Sequence, residues 1–194
     1  MKLIDLKEYG PIHRFGDHHV YRALSQLSDG KRRGRKSLAD SIRIGEGSIR
    51  TILEFLRDKG FIEVRQTGIQ ITKSGSYFLE GIPLKVERLP STDMSLSDSN
   101  VAVQVKSSSN MVTSGIQQRD SAIKAGADGA TTIVIKNHSL IIPPDYDLDL
   151  EKPADSKVLR ELFELKEGDV IIIGTAKNFD DAENGAVAAA LDIL

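Results

Sequence analysis

The chain has no cysteine and no tryptophan, and aromatic residues make up only 5% of its 194 positions. Without cysteine there are no disulfides and no thiolate metal sites. With so few rings, any core must be built from aliphatic side chains. No apolar run reaches the 18 or more residues of a membrane span. The opening Met-Lys-Leu-Ile-Asp-Leu-Lys-Glu lacks the long apolar core of a signal peptide, so a cytoplasmic protein with no membrane association is expected. Histidine is scarce. His18 and His19 are adjacent and point to different helix faces, so they cannot form the i, i+4 pair that binds a metal, and His13 and His138 have no partnering pattern. All four are expected to be structural or solvated. No Ser-His-Asp order, nucleophile elbow, Walker motif or dinucleotide fingerprint occurs. These absences leave no candidate catalytic residue, and neither a metal nor a cofactor is expected.

Charge is plentiful but unevenly placed. Residues 1–86 carry 16 Lys and Arg against 10 Asp and Glu, a balance of +6; residues 87–194 carry 10 against 18, a balance of −8. A basic front and an acidic back suit a protein whose front alone meets a polyanion.

Within the basic front, Ser48 to Lys59 reads as an amphipathic helix. Ile49, Ile52, Leu53 and Leu56 fall at i, i+3, i+4 and i+7, one continuous apolar stripe, and Gly60 follows as the residue that ends it. The other face shows Ser48, Arg50, Thr51, Glu54 and Arg57, the kind of side chain that reaches base edges and phosphates. Upstream, Ser37 to Ile44 is a short helical pattern with Ser37 as its cap and Leu38, Ala39 and Ile42 on its buried side. The break at Gly45-Glu46-Gly47 makes the pair a helix-turn-helix. Downstream, Phe61 to Gln66 and Ile69 to Thr72 alternate apolar and polar as strands do, with Thr67-Gly68 between them as a tight turn. Asp17 caps an earlier helix running to about Leu27, with Val20, Leu24 and Leu27 on one side. Helix, helix, turn, helix and hairpin resemble a winged helix over roughly residues 15 to 82, and the closing Ile71-Thr-Lys-Ser-Gly75 resembles the end of many prokaryotic winged-helix regulators.

The resemblance implies double-stranded DNA as partner. Ser48, Arg50 and Thr51 are then the major-groove readers. The run Lys31-Arg-Arg-Gly-Arg-Lys36, five charges in six residues, supplies phosphate contacts from Arg32, Arg33, Arg35 and Lys36. Arg65, Gln66 and Thr67 occupy the wing tip. Regulators of this kind bind as symmetric dimers, so a homodimer is expected.

A Ser-rich stretch, residues 87–100, separates this domain (1–86) from a second one (101–194). The second reads as strand Val101–Val105, helix Ser114 to Ala125 with Ile116, Ala122 and Ile123 packing, strands at 131–135 and 140–142, and an acidic loop at 145–155. A helix over 157–165, the buried strand Val170–Ile173 and a last helix over 180–194 complete it. The fold class is therefore α+β: a winged helix-turn-helix followed by a small α/β domain of ferredoxin-like βαββαβ order plus a C-terminal helix. Through Gly115-Ile-Gln-Gln-Arg-Asp-Ser-Ala-Ile-Lys-Ala-Gly-Ala-Asp-Gly-Ala-Thr-Thr132, the chain also resembles an uncharacterised archaeal family of two-domain winged-helix proteins. That family brings no known activity and no site residues.

Two glycine-bearing segments of the second domain suit a small-molecule effector. They are Gly126–Thr132, with Asp128 and Gly129, and the segment after the buried strand, with Gly174, Thr175 and Lys177. Loops beyond strand carboxyl ends bind ligands in α/β sheets, and helix amides hold anions. Arg119 and Asp120 complete the candidate set. The expected function is a DNA-binding transcriptional regulator whose second domain senses a small molecule, dimerises, or both. A small-molecule enzyme fused to a winged helix, and a winged helix used for protein contact, are the alternatives.

Overall fold

A computed structural model describes residues 2–3, 15–90 and 97–194; most of the lead-in, His13 included, and residues 91–96 of the expected linker lie outside them. The chain divides into two compact units, Lys2–Ile82 and Pro83–Leu194.

The first unit runs α1 (Asp17–Ser25), α2 (Arg35–Ser41), α3 (Glu46–Asp58), β1 (Ile62–Arg65), β2 (Gly68–Ile71) and α4 (Lys73–Glu80). Its core is aliphatic. The α3 stripe of Ile49, Ile52, Leu53 and Leu56 is buried against Val20, Leu24, Leu27, Leu38 and Ile42. Each such side chain contributes about 1.5–3 kcal/mol on burial. Gly60 ends α3 at φ +73. Its N–H reaches the Arg57 carbonyl at 2.8 Å and Phe61 N–H reaches Leu56 at 2.8 Å, the paired bonds that close a helix on a left-handed residue.

Three helix starts differ from expectation. Helix α1 is capped by Gly16, so Asp17 lies in its first turn rather than at the cap. Helix α2 begins at Arg35, before Ser37, because Gly34 is extended and directly follows a backbone pairing at Arg33. Helix α3 begins at Glu46. The turn is made earlier by Arg43, at φ +60, and Ile44 N–H bonds Ala39 at 3.1 Å. Glu46 thus enters the first turn, where the helix dipole favours an acid.

The second unit contains β3 (Leu84–Leu89), β4 (Ser99–Val105), a single 3-10 turn at Ser109–Met111, α5 (Ile116–Lys124), β5 (Gly129–Lys136), β6 (Ser139–Ile142), β7 (Tyr146–Asp147), α6 (Leu148–Glu151), α7 (Pro153–Leu162), β8 (Val170–Ala176) and α8 (Phe179–Leu191). The sheet order is β3-β4-β8-β5-β6-β7, with neighbouring strands antiparallel. The expected βαββαβ series is present in β4, α5, β5, β6, α7 and β8.

The strand placement corrects the ferredoxin-like expectation. A ferredoxin-like sheet keeps the first strand of the series inside and the last at an edge. Here β8 lies inside, between β4 and β5, and all seven of its residues are buried. The linker assignment is corrected too. Residues 84–89 pair with 100–105 from Leu84↔Val105 to Leu89↔Asn100, so they are a sheet strand rather than the end of one domain and the start of a linker. The acidic loop at 145–155 instead holds β7, α6 and the start of α7, with the Asp147 side chain capping α6.

One face of the sheet packs Ile133, Ile135, Ile171 and Ile173 against Leu148, Leu159 and Phe163 of the α6–α7 region. The other face takes α8, with Val101 and Ala176 against Ala182. Helix α5 lies beside α8 with Ala122 buried. Ile116 and Ile123, expected to pack, are 52% and 48% exposed; the buried side of α5 is Gln118 and Ala122 instead.

Candidate nucleic-acid interface

The basic run and the hairpin form one structure. Arg33 N–H bonds Ile69 O, and Ile69 N–H bonds Arg33 O, both at 2.9 Å, a single antiparallel bridge that ties the run to the wing. Gly68, at φ +119, permits this approach: a Cβ there would sit 3.0 Å from the Arg33 carbonyl oxygen.

The cations of the run consequently separate into two groups. Arg32 donates to Glu63 at 2.6 Å and to the Gly68 carbonyl at 3.3 Å. Arg65 donates to the other Glu63 oxygen at 2.9 Å. Arg33 forks onto both Asp29 oxygens at 2.7 and 3.0 Å. The Arg33 hydrogen bond holds the Asp29 carboxyl far below the usual carboxylate range, and the Arg32 hydrogen bond lowers Glu63. These three arginines brace the wing and have much of their charge neutralised. Arg35, Lys36 and Arg50 are exposed, with no side-chain ion pair or hydrogen bond among the described residues.

Arg35 and Arg50 meet Arg57 around a hollow of about 220 Å³, which is floored by Leu53 and Ile69 and edged by Glu54 and Val64. Val64 is 54% exposed there. Arg50, Glu54 and Arg57 repeat at i, i+4 and i+7 along the outer face of α3, so the same periodicity that revealed the buried stripe places Arg57 in the site. Arg57 also pairs with Asp58 at 2.9 Å. Ser48 stands half-buried in the first turn, and the Thr51 hydroxyl donates back to the Gly47 carbonyl at 3.3 Å. Gln66 and Thr67 are exposed at the wing tip.

The two histidines of α1 are structural. His19 Nδ1 accepts the Gly16 N–H at 3.1 Å, a bond that needs the neutral ring. Burial first, then the neighbouring His19 and Arg22, push His18 down to about 3; burial and Arg22 push His19 to about 4.

The candidate ligand residues of the second unit do not converge. Arg119 and Asp120 pair with each other on the outside of α5 at 3.1 Å. Asp128 accepts from Ser97 at 2.6 Å. Gly174 is a packing residue, since a Cβ would lie 2.3 Å from the Ala182 carbonyl oxygen. Lys177 is exposed, and the helix start beside it is already capped by the Asn178 side chain, which accepts from Asp181 N–H at 3.0 Å. Thr175 and Gly129 do come together. Register aligns Asn100, Thr175 and Gly129 across β4, β8 and β5. Asn100 is fully buried, and neither its amide nor the Thr175 hydroxyl has a hydrogen-bond partner among the described residues. Sequence reasoning missed Asn100. A lone Asn at the start of an apolar strand is an ordinary strand end until register sets it beside Thr175. Among the described residues, no group of three or more His, Asp or Glu is placed to hold a metal.

A helix-turn-helix followed by a braced, arginine-rimmed hairpin defines the first unit as a nucleic-acid-binding type of domain. Residues 18–84 match the description "CggR N-terminal DNA binding domain". Residues 96–193 match "Domain of unknown function (DUF4443)", and the chain belongs to that family. Among solved structures it is similar to a hypothetical protein, PH0730, from Pyrococcus horikoshii OT3, with a TM-score of 0.71 and 26% identity over 90% of this chain and 91% of that one. No curated protein matches. No helix among the described residues is long and apolar enough to cross a membrane.

Proposed function

We propose that this protein is a transcriptional regulator that binds duplex DNA as a homodimer through the outer face of α3 and the braced wing. The observation that carries the reading is the convergence of Arg35, Arg50 and Arg57 around one hollow, with Arg35 and Arg50 carrying no ion pair among the described residues. The match of residues 18–84 to a DNA-binding domain supports it. Arg50 and Ser48 present hydrogen-bonding groups to base edges, while Arg35, Lys36 and Arg57 hold phosphates. The phosphate role moves away from Arg32 and Arg33, which position the wing. The two-fold arrangement places half-sites about one helical turn apart.

The second unit is the sensing module in this reading. Asn100 and Thr175 bury unpartnered donors and acceptors on one sheet face, a costly state that a small polar effector would relieve.

The test is DNA binding by fluorescence anisotropy as a function of salt, using the duplex upstream of the protein's own gene and a scrambled control. Tighter binding to the upstream duplex is expected, with log K falling steeply as log salt rises. Equal, salt-insensitive binding to both duplexes, or no binding to either, would sink the reading.

A further inference from the structure

Helix α5 carries a face that is complementary to itself. Ile116 and Ile123 are 52% and 48% exposed and seven residues apart, so they lie two turns from each other on one side of the helix. Between them stand Arg119 and Asp120, both half-exposed and paired at 3.1 Å. At about 100° per residue, these four positions fall within a stripe about 100° wide. The opposite side of the helix faces its own unit, and Gln117 and Lys124 are exposed beside the stripe. Gln118 and Ala122 are buried, and Ser121 donates to Asp192 of the chain that follows α8. The backing is tight, since a Cβ on Gly185 of α8 would lie 2.4 Å from Ala127 and 3.3 Å from Ala122 Cβ. The stripe is therefore presented on a close-packed support.

The order along the stripe is Ile, Arg, Asp, Ile, and its midpoint falls between Arg119 and Asp120. A two-fold axis through that point lays a second α5 antiparallel on the first. Ile116 of each copy then meets Ile123 of the other, and Arg119 of each meets Asp120 of the other. An isologous contact requires this property: the same patch on both subunits, complementary to itself. A parallel arrangement in register sets Arg119 on Arg119 and Asp120 on Asp120. Exposed isoleucines sharing one helix face form a patch, which single scattered residues do not.

We propose that α5 is the contact of a two-fold homodimer, with Ile116 and Ile123 forming its apolar ends and the Arg119–Asp120 pair its centre. The proposal rests on the dimeric reading above and assigns its interface. A nine-residue helix is about 13 Å long, so the patch is small and self-association in free solution is weak. Two half-sites on one duplex raise the effective concentration of the partners and strengthen it.

The test is sedimentation velocity of the full-length chain from about 1 to 300 μM, with circular dichroism melts to confirm that each variant folds. Ile123→Glu is expected to raise the dimer dissociation constant at least about ten-fold, because an apolar contact is lost in both halves. Arg119→Asp and Asp120→Arg are each expected to weaken the dimer roughly three- to ten-fold by setting like charges together. The double variant R119D/D120R restores the pattern and should return to within about two-fold of wild type. Mixing R119D with D120R in equal amounts should likewise give a heterodimer tighter than either homodimer, which no folding defect imitates. A wild-type dimer indifferent to all of these changes overturns the α5 assignment and leaves the dimeric reading intact. A chain that stays monomeric to the top concentration overturns the α5 contact, while the anisotropy experiment judges DNA binding independently.

Discussion

The two units place their polar groups differently. In the first, α1 buries Arg22 completely, with its guanidinium donating to the Ser41 carbonyl at 3.1 Å, and the charges relevant to a partner stand outside on α3 and the wing, some of them already claimed by a neighbouring acid. In the second, the sheet buries polar side chains: Asn100, Gln104, Thr132 and Thr175 are all nearly inaccessible. Gln104 is satisfied by Asp169 at 2.7 Å and the Glu164 carbonyl at 3.0 Å; Asn100 and Thr175 are not. A surface that binds a polyanion needs exposed cations and a stable platform beneath them. On the proposed sensing role, the second unit keeps hydrogen-bonding capacity out of water's reach for a small polar molecule.

That contrast is broken most sharply by glycine. Gly75 lies against the Phe61 carbonyl, where a Cβ would sit at 2.1 Å, and Gly174 lies under α8 with the Ala182 carbonyl oxygen at 2.3 Å. Both contacts are with backbone, so neither neighbour swings aside. Gly75→Ala should destabilise the first unit and Gly174→Ala the second, each by about 1–3 kcal/mol or more. Urea unfolding followed at Phe61 and Phe78 in one unit and Phe163 in the other, by ring NMR signals, reads the two separately. Equal loss in both units from either change would show that they do not unfold separately.

Next in size are the arginines. Arg50→Ala should remove about 1–3 kcal/mol of affinity for the cognate duplex. Arg35→Ala should lower the salt slope by about one. Arg33→Ala should leave that slope unchanged, because Asp29 already balances the guanidinium. An equal effect of Arg33 and Arg35 would erase the distinction between bracing and contacting cations.

A further difference is a pH dependence of the first unit, whose size is set by how far the pH falls below the unfolded histidine value. His18 and His19 are held neutral in the fold, at about 3 and about 4, while the unfolded chain takes up protons below about 6.5. Stability is therefore full above pH 6.5 and falls as the pH drops toward 4, by at most about 1.4 kcal/mol per pH unit for each histidine. The window should disappear in the double variant His18→Gln, His19→Gln. A second unit that weakens equally between pH 6.5 and 5 would contradict this origin.

Much of the first unit is legible in its sequence because its periodicities are strong and its punctuation is glycine. The α3 stripe, the Gly60 stop and the hairpin fall where the pattern places them. The turn between α2 and α3 was harder to place, because Arg43 makes it in a left-handed conformation that nothing in an Arg announces. The basic run could not reveal that Asp29 and Glu63 would claim half its charge, since both partners are matters of folding. In the second unit, Ile116 and Ile123 mark a face but not which side of it is inward; i, i+7 spacing is the same for core and surface. The strand at 84–89 was hidden by its neighbours, as its alternation ran into a Ser-rich stretch. The sheet order depends on β8, whose place between β4 and β5 no local pattern encodes.

The pairing of Arg33 with Ile69 has one more consequence. A free two-stranded hairpin fluctuates in water and must be stilled when it meets a duplex. Here the Arg33–Ile69 bridge, the Arg32–Glu63–Arg65 chain and the Gln70 amide on the Gly30 carbonyl at 2.6 Å hold it beforehand. In the proposed contact the wing meets DNA with its backbone freedom already surrendered at folding, so little ordering remains to oppose association. Its grip is set by geometry fixed more than thirty residues away in the chain.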